Sequence, residues 1–272
     1  MQFLRRTIQT SVFVLIIVIP LVNYYGIKVE QKDDDAIEQS RLLSLVHNSF
    51  TGQERTKVIE LTHEVKGSVW TIDILGFKIS DPLAVLESTT TALYFYLPML
   101  LSVVVPVVFT ALLGRVYCGW LCPMNLLLEI NDKVRRLLEK IGYNTRDVKF
   151  KRKTKYWLLG LGLLAAYLAG RPLLALIYPP AVISREIFYR IYTGFWSNGL
   201  MLIAAICFFE LILSRRWWCR AICPGGAVYV ALSRFRLLKI KRNDPLCDRC
   251  GDCLPVCPYA LAPMTRTLAA EC

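Results

Sequence analysis

Residues 99–123 read MLLSVVVPVVFTALLGRVYCGWLCP, and residues 200–224 read LMLIAAICFFELILSRRWWCRAICP. At a constant offset of 101 positions, each stretch places an apolar run before an arginine, two cysteines four positions apart and a proline. The cysteines are Cys118 and Cys122 in the first copy and Cys219 and Cys223 in the second. This internal repeat predicts two helix pairs, each ending in a C-x3-C-P motif.

The composition indicates that these repeats belong to a membrane protein. The chain has 272 residues, 55% of them hydrophobic, with a net charge of +12 and a mean hydropathy of +0.42. Nucleic acid is a poor candidate partner, because basic residues here alternate with long charge-free apolar runs. The stretches 7–27, 91–114, 156–178 and 197–214 approach the roughly 20 apolar residues that span a bilayer. We predict an all-α integral membrane fold with four transmembrane helices arranged as two repeated helix pairs.

The predicted domain boundaries follow from these spans. Residues 1–26 form an N-terminal transmembrane anchor and residues 27–90 a periplasmic segment. Residues 91–241 form the transmembrane core with both motifs, and residues 242–272 a ferredoxin-type segment. A cleaved signal peptide is the alternative for the first span, because two arginines precede it. The NYYG that follows has no small-x-small cleavage site, which favours an anchor.

The distribution of basic residues predicts the orientation. Lys and Arg number 23 in the N-terminal tail and the segments 115–155 and 215–272, against nine in 27–90 and 179–196. Because cytoplasmic loops carry the excess of Lys and Arg, we predict a bacterial inner-membrane protein with both termini in the cytoplasm. Both motifs then lie at the cytoplasmic membrane boundary.

The outer segment ends in two recognisable local patterns. VWTIDILGFKIS (69–80) alternates as a short strand pair turning at Gly76 would. The DPLAVLE that follows predicts a helix with Asp81 as its N-cap and Pro82 in its first turn.

The C-terminal cysteines follow the spacing of bacterial ferredoxins. The run C-x2-C-x2-C-x3-C-P consists of Cys247, Cys250, Cys253, Cys257 and Pro258. This spacing binds a [4Fe–4S] cluster, and in two-cluster ferredoxins the fourth cysteine ligates the other cluster. A zinc knuckle is the alternative, although zinc sites favour two pairs separated by a longer loop. Cys272 lies where a second run could begin. We expect the native chain to continue with further cysteines; otherwise Cys257 or Cys272 completes a single cluster.

The two C-x3-C-P motifs offer four more thiolates, the ligand set of an additional iron–sulfur cluster. Two cysteines four apart on a helix share one face, and nearby arginines such as Arg115 and Arg216 would offset the negative charge of a cluster. A dithiol–disulfide pair or inert thiols are the alternatives. Haem is disfavoured, because the chain has two histidines and both lie in the outer segment. Cys207, the tenth cysteine, is predicted to be a small buried hydrophobe.

Two charged residues fall inside predicted spans and are catalytic candidates for that reason. Arg171 interrupts the third span, from which it is expected to reach the outer surface. Glu210 lies near the cytoplasmic end of the fourth span. It could accept a proton from quinol or pair with a loop arginine such as Arg215.

The paired motifs, the four spans and the C-terminal run resemble the NapH-type family of ferredoxin-type membrane proteins. Related groups are the MauN proteins, the membrane half of NosR and the CcoG assembly factors. The pattern G-x3-S-DPLA at residues 76–84 is also similar. The resemblance implies oxidation of quinol and delivery of electrons to a periplasmic ferredoxin or cytochrome partner. The missing second ferredoxin run departs from the family.

Together these features predict a membrane-bound iron–sulfur electron-transfer subunit with quinol as donor. The alternative is an assembly or metal-handling reductase of the CcoG type. A transporter is a third class, but no polar residues suited to a substrate line the predicted helices.

Overall fold

The computed structural model describes residues 2–30, 65–67, 71–74, 77–94, 96–142, 148, 151 and 153–237. The ferredoxin-type segment lies outside these residues, so the role of its five cysteines stays a prediction. Those cysteines are Cys247, Cys250, Cys253, Cys257 and Cys272.

The described part of the chain is mainly helical, as predicted. Its helices are α1 (Gln2–Glu30), α2 (Pro82–Ala92), α3 (Leu97–Leu113), α4 (Pro123–Lys140), α5 (Thr154–Ala169), α6 (Pro179–Thr193), α7 (Gly199–Ile212) and α8 (Pro224–Leu232). Two π-helical turns, Tyr117–Leu121 and Trp218–Ile222, precede α4 and α8. Single 3₁₀ turns occur at Leu174–Leu176 and Ser233–Phe235.

The predicted strand pair is confirmed and a third strand joins it. The strands β1 (Val65–Gly67), β2 (Thr71–Ile74) and β3 (Phe77–Ser80) form an antiparallel sheet in that order. Ile72 lies opposite Ile79. Asp81 follows β3 directly, and its carboxylate caps α2 by accepting a hydrogen bond from the backbone N–H of Leu83 at 2.8 Å. The predicted N-cap is therefore confirmed.

Prolines at helix starts set the boundaries of the core. Proline occupies the first or second position of five helices. A backbone N–H at these positions would have no acceptor within the helix, so its absence in proline costs no hydrogen bond. These prolines are Pro82, Pro98, Pro123, Pro179 and Pro224. The residue before a proline favours the extended region, so the four prolines at a first helical position also separate the helix from the chain before it.

The internal repeat is larger than two helix pairs. The first unit comprises α1, α2, α3, one π-turn and α4, and the second comprises α5, α6, α7, the other π-turn and α8. The first helix of each unit makes equivalent contacts. Helix α1 contacts the π-turn and α4 of its own unit and α6 of the other. Helix α5 contacts the π-turn and α8 of its own unit and α2 of the other. Because α1 and α5 each pack on the opposite unit, the two units interlock around one core.

One helix among the described residues is long and apolar enough to cross a bilayer, α1 over Phe3–Val29. The other apolar helices, α3, α5 and α7, have 17, 16 and 14 residues. The third predicted span is interrupted, because α5 ends at Ala169 and Gly170 adopts the left-handed conformation with φ of 60°. Four complete spans therefore stay a prediction.

The end of the segment 27–90 is in contact with the core helices. Strand β3 runs along α3, and the Asp81 carboxylate accepts a hydrogen bond from the Tyr229 hydroxyl at 3.0 Å. Tyr229 lies six residues after Cys223, on the side predicted to be cytoplasmic. The strand pair and α2 therefore pack against the core, and the periplasmic location of residues 27–90 stays a prediction.

We expect the glycines of α5 to respond oppositely to alanine substitution. A Cβ at Gly162 would overlap the side chain of Leu174, which is fully buried in the core, whereas a Cβ at Gly160 would meet open space. Gly160→Ala should stabilise the protein by about 1 kcal/mol through helix propensity. Gly162→Ala should destabilise it by about 1–3 kcal/mol through overpacking. Thermal unfolding in detergent measures both, and equal shifts for the two variants would contradict the packing.

Candidate metal centre

Each C-x3-C-P motif is a π-turn rather than the α-helical face predicted from its spacing. The backbone N–H of Cys122 donates to the Tyr117 carbonyl at 2.9 Å, and that of Cys223 donates to the Trp218 carbonyl at 2.8 Å. Both bonds span five residues, which widens the turn. A π-turn is rare and is frequently found at a functional site. The following proline explains why the turn stops, because it forces the second cysteine of each motif into an extended conformation.

The second cysteine of each motif is the N-cap of the next helix. Cys122 precedes α4 and Cys223 precedes α8. The sulfur of Cys223 accepts a hydrogen bond from the backbone N–H of Gly226 at 3.4 Å. The unpaired N–H groups and the dipole at a helix N-terminus favour a negative charge, so both positions are suited to a thiolate that a metal has already deprotonated.

The two motifs meet at one small cavity of about 30 Å³, which we call the four-cysteine cavity. All four motif cysteines line it, two from each repeat unit: Cys118, Cys122, Cys219 and Cys223. Their sulfurs are close enough to interact electrostatically, Cys122 with both Cys118 and Cys223. The convergence that the 101-residue repeat predicted is therefore present in the fold.

The thiols are neutral as free side chains. Burial raises the pKa of all four, that of Cys223 to about 12, while Arg115 lowers the pKa of Cys118. Metal binding would therefore displace protons, because the thiolate is the ligand.

Four cysteine sulfurs around one cavity fit the donor set of a [4Fe–4S] cluster. Among the described residues, no three Cys, His, Asp or Glu side chains form a group that could hold a single metal ion. A cubane binds its cysteines at separate iron corners and so spreads them more widely than one ion does. The four sulfurs therefore provide the number and type of ligands that a [4Fe–4S] cluster needs.

The arginine that precedes each motif is buried beside it. The Arg115 side chain makes a hydrogen bond to the Cys118 thiol and also lines the cavity. Arg216 is 1% exposed and adopts a positive φ of 58°. Its guanidinium donates to Asp132 Oδ2 at 3.0 Å and also to Asn125 Oδ1. Asn125 lies on α4 and lines the cavity, so the hydrogen bond from Arg216 connects the second motif to the first repeat unit.

The remaining sequence candidates lie apart from this cavity. Glu210 is buried, and its carboxylate accepts a hydrogen bond from the backbone N–H of Arg216 at 3.2 Å; the pairing expected with Arg215 is instead made by Asp132. Arg171 lies beyond the end of α5 and is exposed, not inside a helix. Cys207 packs partly buried against the core, as predicted.

Sequence reasoning missed a buried cluster of tyrosines around Asp81. The Asp81 carboxylate accepts hydrogen bonds from the hydroxyls of Tyr178 at 2.9 Å and Tyr229 at 3.0 Å. The ring of Tyr117, the residue before Cys118, stacks on Tyr229 with centroids 4.9 Å apart. The DP pattern of a helix start was visible in the sequence, but no pattern indicates that these tyrosines, far apart in the chain, surround it.

A comparison with protein families gives the same two regions. The model of the 4Fe-4S binding domain matches residues 95–141 and again residues 196–243. Each match contains one π-turn and both cysteines of its motif. The two matches therefore coincide with the two halves of the internal repeat.

Similar proteins cover most of the chain. The methylamine utilization ferredoxin-type protein MauN of Methylorubrum extorquens is 33% identical over 74% of this chain and 69% of its own length. The ferredoxin-type proteins NapH of Haemophilus influenzae and Escherichia coli are 34% and 31% identical, over 61% and 60% of their own lengths. No solved structure matches the chain. With its two 4Fe-4S binding modules and this similarity over most of its length, the chain belongs to the MauN and NapH ferredoxin-type family.

Proposed function

We propose that this protein is a membrane-bound iron–sulfur electron-transfer subunit that oxidises quinol and passes the electrons to a partner redox protein. The observation that carries the proposal is the meeting of four motif cysteines, two from each repeat unit, at one buried cavity. A duplicated motif is needed to supply four ligands, whereas a dithiol needs only one copy.

The surroundings of the cavity favour a redox cluster. When bound, a [4Fe–4S] cluster supplies one-electron chemistry. Two helix N-termini point toward its ligands, and the buried Arg115 guanidinium adds a fixed positive charge. Hydrogen bonds and positive charge near the sulfurs raise the reduction potential of a cluster. The protein thereby favours uptake of electrons at this site.

The C-terminal segment extends the electron path in this proposal. The run of Cys247, Cys250, Cys253 and Cys257 would hold a further [4Fe–4S] cluster, with Cys272 available to a second one. Spacing alone supports this part of the proposal.

The membrane arrangement completes the proposal. The helices α1, α3, α5 and α7 would cross the bacterial inner membrane with both termini in the cytoplasm, which the excess of basic residues in the connecting segments supports. The names of the relatives, which describe ferredoxin-type proteins, support a redox protein such as a ferredoxin or cytochrome subunit as the partner.

Protein purified without oxygen should contain iron and acid-labile sulfide in equal amounts and show a cubane EPR signal on reduction. A short-chain quinol should reduce it. The expectation rests on the four-cysteine cavity and the C-terminal spacing, both suited to [4Fe–4S] clusters. Stoichiometric zinc without labile sulfide would contradict the proposal, and iron that dithionite reduces but quinol does not would contradict its quinol part.

A further inference from the structure

A second, larger cavity lies next to the four-cysteine cavity. It occupies about 350 Å³ between α1, the strand pair and α3, and we call it the α1–α3 cavity. Its walls are mostly aliphatic or aromatic, with Ile16 and Ile19 on α1 and Val105, Pro106 and Phe109 on α3. This volume and lining are typical of pockets for small organic ligands.

Five residues at one end of the α1–α3 cavity provide its polar groups. They are Ser80, Asp81, Thr110, Tyr117 and Tyr229. Asp81 is 4% exposed and Thr110 also 4% exposed, so these groups lie deep in the protein. The pocket therefore combines a long apolar wall with a small hydrogen-bonding end.

The hydrogen-bonding end has capacity left for a ligand. An ionised carboxylate offers about four acceptor positions. Asp81 uses three of them, for the backbone N–H of Leu83 and the hydroxyls of Tyr178 and Tyr229. The Tyr117 hydroxyl is buried close to Asp81 without a hydrogen bond of ordinary geometry. A ligand hydroxyl could thus donate to Asp81 and accept from Tyr117.

Tyr117 separates the α1–α3 cavity from the four-cysteine cavity. It lines both of them and directly precedes Cys118. A ring held against Tyr117 would be one side chain away from the cluster site. This closeness favours a ligand that exchanges electrons with the cluster.

The α1–α3 cavity is accessible from an apolar surface. Its lining includes Leu15, Val105 and Phe109, which are 52%, 57% and 58% exposed. The helices that carry them are apolar on their outer faces. A ligand that dissolves in lipid would therefore enter sideways between α1 and α3.

We infer that the α1–α3 cavity binds the ring of a quinol, with one ring hydroxyl hydrogen-bonded to Asp81 and Tyr117 and the alkyl tail directed out between α1 and α3. A quinol matches this pocket because it has an apolar ring and tail, carries hydroxyl groups and reaches the pocket from the lipid. The inference rests on the proposed function and assigns its donor site.

Binding of a photoactivatable azido-benzoquinone with a short alkyl chain tests the site in purified protein that retains its iron. The label should appear on peptides of α1 or α3 that line the cavity. Val105→Trp fills the cavity and should weaken binding at least about tenfold, since the bulk occupies the ligand position. Val104→Trp is the matched control, because Val104 is 48% exposed on the same helix and is not among the lining residues. It should bind within about twofold of the unsubstituted protein.

Asp81→Asn provides a second variant. This substitution replaces the charged acceptor of the ring hydroxyl by a neutral amide and should weaken quinone binding about tenfold. The iron content and the EPR signal should stay unchanged. Full binding by both Val105→Trp and Asp81→Asn would overturn the site while leaving the proposed function intact. Displacement of the probe by excess phospholipid but not by unlabelled quinone would also overturn it, because the cavity would then hold lipid. Absence of quinone binding by the iron-loaded protein would instead refute the quinol part of the proposed function.

Discussion

Cys122→Ser and Cys223→Ser should each remove the cluster held between the two motifs, to the same extent. The two residues occupy equivalent positions, each the N-cap of a helix that follows a π-turn, and each lines the shared cavity. Because a metal site loses affinity when one ligand is removed, the iron content should fall by roughly four atoms per chain, one [4Fe–4S] cluster. Iron analysis and EPR of anaerobically purified protein measure the loss.

Cys207→Ser is the matched control for these variants. Cys207 lies on α7 and packs against the same core, but it is not among the residues that line the four-cysteine cavity. It should therefore keep the full iron content. The EPR signal of the C-terminal cluster should survive in all three variants. Full iron in both motif variants, or an equal loss in Cys207→Ser, would refute the shared site.

Arg216→Met should destabilise the protein far more than Arg215→Met, although both arginines pair with the same carboxylate. Arg216 is held at 3.0 Å from Asp132 Oδ2 with its side chain 2% exposed, and it also donates to Asn125. Arg215 is 3.1 Å from Asp132 Oδ1 with its side chain 24% exposed. Removal of one partner from a buried pair costs about 3–5 kcal/mol, whereas a more exposed pair contributes about 0–1 kcal/mol.

Thermal unfolding of both variants in the same detergent measures this difference. The remaining arginine still pairs with Asp132 in each variant, so the expected cost for Arg216→Met is at the lower end, about 3 kcal/mol. Iron content should also fall in Arg216→Met, because Asn125 and the second motif lose their connection. Equal unfolding temperatures for the two variants would show that burial does not distinguish the arginines.

Local patterns were sufficient to predict part of the fold. The strand pair and the Asp81 cap each depend on residues within a few positions of one another, and the structure confirms both. The repeat was also visible, because both copies keep the same residues at one offset. The π-turn was not predicted, since a spacing of four is compatible with an α-helix. The proline that ends the turn was visible, but its effect depends on where the following helix begins.

The residues that could hold metal were predictable without knowledge of packing, because their type, spacing and duplication are visible in the sequence. The packing of distant segments, in contrast, places the four motif cysteines around one cavity and buries Asp81 beside Tyr178 and Tyr229, which lie 97 and 148 residues away. The contact of β3 with α3 also depends on this packing. The reason is physical: a buried carboxylate is tolerated only where distant hydroxyls and N–H groups satisfy it, and no local pattern encodes which distant groups those are.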